Sequence, residues 1–319
     1  MDPRYRSGLR RHYGRIAFAL LAYYLITAAA QFAAQYSVLA WAPDWAESGW
    51  FLPALALVPM YCIGFPVFLL LLPKAPPREL LPERRSLPAR EFFVVLLMCF
   101  GVLYPGNLLG QGLDWLIRRL LGRSGGLNAL ENLAGNSSTW AYVLAVVVLA
   151  PILEELTFRR LLLDRMRTVD KPSALVFSAL AFALFHSNLI QFFYAFGVGL
   201  IFGCIYIRTG RVRYSMILHV LVNFFGSLAA FFLPEGGAEL TKPLENLVLF
   251  LCLGVYALLL LAACVAGIVM LFRRRRSLRV ADGADLLSPG SRFALVFCRP
   301  AWLLYCLAVL TVMAVNYLL

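Results

Sequence analysis

The feature that most constrains this chain is a succession of apolar blocks, most of them close to 20 residues long, set apart by short basic or proline-bearing stretches. As helix, about 20 residues are enough to cross the hydrocarbon layer of a bilayer. Nine blocks read as spans on this basis: 16–41, 50–72, 92–109, 139–158, 172–187, 189–209, 214–233, 244–272 and 293–318. The expected fold class is therefore all-α, a polytopic transmembrane helix bundle. Composition agrees, because only 14% of the 319 residues are charged, against roughly 25% in soluble domains. The first block is too long for the h-region of a signal peptide and is read as a true span.

The net charge of +12 does not point to nucleic acid. Its basic residues cluster at block ends, where Lys and Arg mark cytoplasmic loops and meet anionic headgroups. Residues 1–15, the linker with Lys74, Arg78, Arg84, Arg85 and Arg90, and stretches 159–171, 208–213 and 273–279 are thus expected on the cytoplasmic side. Loops 41–49 and 234–246, acidic or nearly uncharged, are expected outside. This count puts the N-terminus in the cytoplasm and the C-terminus outside. Segment 111–121 alternates apolar and charged residues at helical spacing and reads as an amphipathic helix in the outer interface. The seven cysteines form no CxxC pair and read as packing residues. Three regions are expected: peripheral N-terminal helices and a linker (1–90), a core (91–235) and C-terminal membrane helices (236–319).

Charge inside a bilayer is costly, so polar residues in the spans need a reason. AVVVLAPILEELTFRR carries Glu154 and Glu155 after an apolar run containing Pro151. Adjacent residues project about 100° apart on a helix and cannot share one role. Glu155 and Arg159 have the spacing and order of an intrahelical ion pair, which leaves Glu154 as the unpaired acid. FSALAFALFHSN carries His186 with Phe182 one turn earlier, and YSMILHVLVNFFG puts His219 and Asn223 on one helical face. Each pattern alone also fits a bland role: carboxylates wetted at the end of a span, a packed histidine, or interhelical polar glue. Two of the chain's three histidines in spans near one Glu pair make separate accidents a poor account.

EELTFR, FALFH and HVLVN, in that order, resemble the EExxxR, FxxxH and HxxxN motifs of the CAAX-protease and bacteriocin-processing (CPBP) family, the type 2 CAAX prenyl endopeptidase-like or Abi proteins. The likeness extends through a glycine-bearing stretch containing Gly199 and Gly203, a small-residue face suited to close helix packing. It covers about residues 149–226. The resemblance implies an intramembrane (metallo)endopeptidase with Glu154, His186, His219 and Asn223 as catalytic residues and Glu155, Arg159 and Phe182 in support. Glu154 and His186 would activate water, and His219 and Asn223 would hold the oxyanion. A second version places a divalent metal such as zinc on Glu154, His186 and His219. The implied partners are a lipidated or leader-bearing peptide substrate and membrane lipids. A non-catalytic immunity or binding protein on the same scaffold, or a transporter, are the alternative readings.

Overall fold

The computed structural model describes residues 3–77, 83–123, 133, 135–167, 170–228, 243–276, 278, 280 and 289–318. The expected outer loop 234–246 falls largely outside the described residues, as do Arg78, Arg279 and the end of the seventh span. Among the described residues all regular structure is helical: α1 (Pro3–Trp41), α2 (Phe51–Leu71), α3 (Ala89–Leu120), α4 (Thr139–Met166), α5 (Lys171–Phe185), α6 (Leu189–Thr209), α7 (Val212–Ser227), α8 (Pro243–Arg273), α9 (Pro289–Phe297) and α10 (Pro300–Leu318), with one further turn at Pro43–Ala46. Seven of these are long and apolar enough to cross a bilayer, so the protein is an all-helical, multi-pass membrane protein. The other two expected spans are the shorter helices α5 and α7.

Two elements depart from expectation. Segment 111–121 is no separate interfacial helix but the last third of α3, which runs on through Pro105. Close packing explains it: a Cβ at Gly106 would lie 2.8 Å from the Tyr194 backbone and one at Gly110 2.4 Å from the Ile190 carbonyl, so α3 lies hard against α6. Its charged end is neutralised along the bundle, where Asp114 pairs with Arg118 at 3.0 Å and accepts from the Tyr317 hydroxyl at 2.7 Å. The ninth expected span is split into α9 and α10 at Pro300, which favours a helix start.

The basic segments meet at one end of the bundle. His12 Nε2 donates to the Arg165 carbonyl (2.9 Å), Tyr13 to that of Met166 (3.2 Å), and Arg165 Nε to that of Pro73 (2.7 Å). Residues 85–87 lie across this end too, with Arg85 N bonded to Thr209 O (2.8 Å) and Leu87 N to the Tyr214 hydroxyl (3.1 Å). Asp164 accepts from Arg160, Arg167 and Tyr206 here. Between the ends, one hydrophobic cluster takes residues from α1 through α10. Gly199 lets α6 approach α5 closely, since a Cβ there would be 3.3 Å from Ala179 and from the Phe182 ring.

Candidate active site

The acid-bearing helix α4 is irregular where it matters. Residues Val143–Leu149 and Leu156–Leu163 are wound as π-helix, with one α-helical stretch, Ala150–Glu155, between them. In a π-helix each carbonyl bonds the N–H five residues on, as Ala145 O does with Ala150 N. For Val146 that partner is Pro151, which has no N–H. The orphaned Val146 carbonyl instead accepts from Asn223 Nδ2 at 2.9 Å. Pro151 thus opens a docking point that ties α7 to the helix carrying the acids.

Glu154 and Glu155 have separate environments. Glu155 and Arg159 are fully buried and 3.2 Å apart, the intrahelical pair that their spacing suggests. The guanidinium lies over the rings of Phe182 (4.6 Å) and Phe202 (5.7 Å), whose faces favour a cation. Its nitrogens make no aligned hydrogen bond, so charge and ring contacts hold it. Glu154, by contrast, keeps 17% of its side chain exposed.

His219 joins the two acids. Its Nδ1 is 3.3 Å from Glu155 Oε1 and its Nε2 is 3.7 Å from Glu154 Oε2, both charge contacts rather than aligned hydrogen bonds. The ring packs against Phe182 and Phe202 at 5.6 and 5.2 Å. The buried hydroxyl of Ser215, one turn earlier on α7, also faces Glu155.

His186 does not stand within a helix. It is the C-terminal cap of α5, followed by Ser187 in the left-handed region (φ 49°) and by Asn188, whose side chain caps α6. Its Nδ1 lies 2.8 Å from the Phe182 carbonyl. A carbonyl only accepts, so Nδ1 carries the proton and a neutral ring keeps the Nε2 lone pair free. The ring meets the edge of Phe182 at 4.9 Å, and Phe182 is thereby shared between the two histidines. Counting along straight helices puts His186 deeper than His219. The α5–α6 turn and the shared Phe182 bring them to one region.

The structure therefore brings Glu154, Glu155, Arg159, Phe182 and His219 into one contact set. His186 is attached through Phe182, and Asn223 through Val146. Sequence reasoning missed Phe202, Thr157 and three tyrosines: Tyr23, Tyr61 and Tyr194 all lie within electrostatic reach of Glu154. Tyrosines in apolar blocks look like any other interfacial or packing aromatic, so no local signal marked them.

A metal on Glu154, His186 and His219 does not fit this arrangement. Among the described residues no three His, Cys, Asp or Glu side chains are grouped to hold an ion.

Comparison with known proteins falls on the same helices. Residues 136–225 match the family model for type II CAAX prenyl endopeptidase Rce1-like proteins. A 108-residue stretch, 32% of this chain, is 29% identical to the membrane-embedded CAAX protease MroQ of Staphylococcus aureus and spans 44% of that protein's length. No solved structure matches. The EELTFR, FALFH and HVLVN motifs all lie inside the matched segment, so the resemblance to CAAX-type membrane proteases rests on these core helices.

Proposed function

We propose that this protein is an intramembrane endopeptidase that cleaves a membrane-associated peptide by a Glu154-activated water. The observation that carries this reading is the division of labour between neighbouring acids. Glu155 is buried against Arg159, while Glu154 stays partly open with His219 at its carboxylate. A carboxylate free of an ion pair can take a proton from water, and general bases of this kind contribute about 10²–10⁴ in rate.

In this mechanism water sits between Glu154 and the free Nε2 of His186. Its oxygen attacks the scissile carbonyl carbon as its proton passes to Glu154, and the same proton is then delivered to the departing amine. Asn223 has two amide hydrogens, of which Val146 takes one. The second is available to the tetrahedral oxyanion. Glu155 and Arg159 hold His219 from behind. The substrate is a peptide tethered to the bilayer, either lipidated or carrying an apolar leader, and it enters from the end of the bundle where the basic segments meet.

The test uses full-length protein in lipid nanodiscs, with internally quenched peptides ending in a farnesylated CaaX sequence and an apolar leader-peptide fusion as probes. Glu154→Gln is expected to lower turnover by about 10²–10⁴, and Asn223→Ala by about 10²–10³, as for loss of one oxyanion donor. Treatment with a metal chelator is expected to leave turnover unchanged. Full cleavage by Glu154→Gln ends the proposal.

A further inference from the structure

We propose that two adjacent tyrosines of the N-terminal helix, Tyr23 and Tyr24, are positioning residues that fix the Glu154 segment and the His186 turn at a set separation. The inference rests on the endopeptidase reading and extends it to a helix outside the matched segment 136–225.

Both side chains are buried, at 1% and 6% exposure. Neighbouring helical residues project about 100° apart, so one helix can hold two walls. On one wall, the Tyr23 ring packs on Phe185 at 4.8 Å, which meets the edge of Phe158 of α4 at 5.6 Å, and the Tyr23 hydroxyl faces the side chain of Thr157, three residues beyond Glu154. Thr157 Oγ1 gives its own proton to the Leu153 carbonyl at 2.8 Å, so toward other groups it can only accept. This packing holds α4 where it passes from α- into π-helix, just beyond the two acids. On the other wall, the hydroxyls of Tyr24 and Ser187 are 2.8 Å apart. Ser187 directly follows His186 and adopts a left-handed backbone that few non-glycine residues tolerate. Such a conformation persists only when its surroundings over-determine it, and the Tyr24 hydroxyl does so here.

Further ring contacts reinforce this arrangement. Phe185, the residue before His186, is packed by both tyrosines, at 4.8 Å from Tyr23 and 5.8 Å from Tyr24. Tyr23 also stacks on Phe68 at 5.1 Å. Tyr24 meets the edge of Tyr305, whose hydroxyl donates to the Ala181 carbonyl of α5. Gly64 of α2 makes the space, since a Cβ there would come within 2.9 Å of the Tyr23 ring and 2.2 Å of the Thr27 hydroxyl. Glu154 and His186 thus sit on separate elements referred to one rigid helix, which suits two groups that must hold a water between them.

The experiment uses full-length protein in nanodiscs and variants that keep the rings: Tyr23→Phe, Tyr24→Phe, Thr157→Val, Ser187→Ala and Ser187→Gly. Two chemical probes read the site without substrate. Dicyclohexylcarbodiimide labels Glu154, with Glu154→Gln as blank, and diethylpyrocarbonate labels His186, with His186→Ala as blank. Tyr23→Phe should change the Glu154 labelling rate severalfold and leave His186 alone, with Thr157→Val adding nothing to it. Tyr24→Phe, Ser187→Ala and Ser187→Gly should do the converse. Each should lower kcat on the quenched peptides by about 10–100-fold, the scale of a small misplacement, with KM little changed and no matching fall in melting temperature. Unchanged labelling in both Phe variants, wild-type behaviour of Ser187→Gly, or a loss of turnover that tracks melting temperature overturns the proposal. Since labelling needs no cleavage, failure of the endopeptidase reading would show only in the peptide assay and would be told apart.

Discussion

At the scale of single residues, the fully buried Glu155–Arg159 pair makes the sharpest demand. Removing one partner of such a pair leaves an uncompensated charge, at a cost of about 3–5 kcal/mol. Glu155→Gln is therefore expected to lower the unfolding temperature sharply, and Glu155→Gln with Arg159→Met to recover part of the loss, as measured by thermal unfolding in nanodiscs. Asn223 has a structural duty beside its proposed catalytic one. Asn223→Ala strips the Val146 carbonyl of its donor and should cost about 1–3 kcal/mol, seen in the same measurement. The ion pair was legible from its i, i+4 spacing. The duty of Asn223 was not, because it depends on a proline 72 positions away leaving a carbonyl free.

At the scale of elements, Pro151 and the glycines set how helices carry the site. Pro151→Ala supplies the missing N–H and lets α4 wind regularly, which competes with Asn223 for the Val146 carbonyl. The variant should be at least as stable as the parent and much slower, a split that melting and turnover measurements would show. Gly267 faces the α3 backbone so closely that a Cβ would lie 1.9 Å from the Leu97 carbonyl. Gly267→Ala should force α8 away from α3 and expose the bundle to limited proteolysis. Apolar block lengths announced the helices themselves. They did not announce the π-helical stretches, or that His186 caps a short helix, because both follow from contacts between helices.

At the scale of the whole molecule, the meeting of residues 12–13, Pro73, 85–87, 164–167 and 209–214 at one end makes sidedness testable. A cysteine placed at Arg85 should react with a membrane-impermeant maleimide in inside-out vesicles and stay protected in right-side-out ones. Equal labelling in both would contradict a cytoplasmic face there. Sequence alone determined that this chain must live in a bilayer, since no aqueous fold could hide so many apolar blocks. It also determined which polar residues were out of place there, because each one inside a span carries a solvation cost that some partner must offset. Only the tertiary structure decided how His219 lies between the two acids, and that Tyr23 and Tyr24 of the first helix reach the centre. Those outcomes depend on the approach of segments far apart in the chain, and the spacing of residues along one helix contains no record of its neighbours.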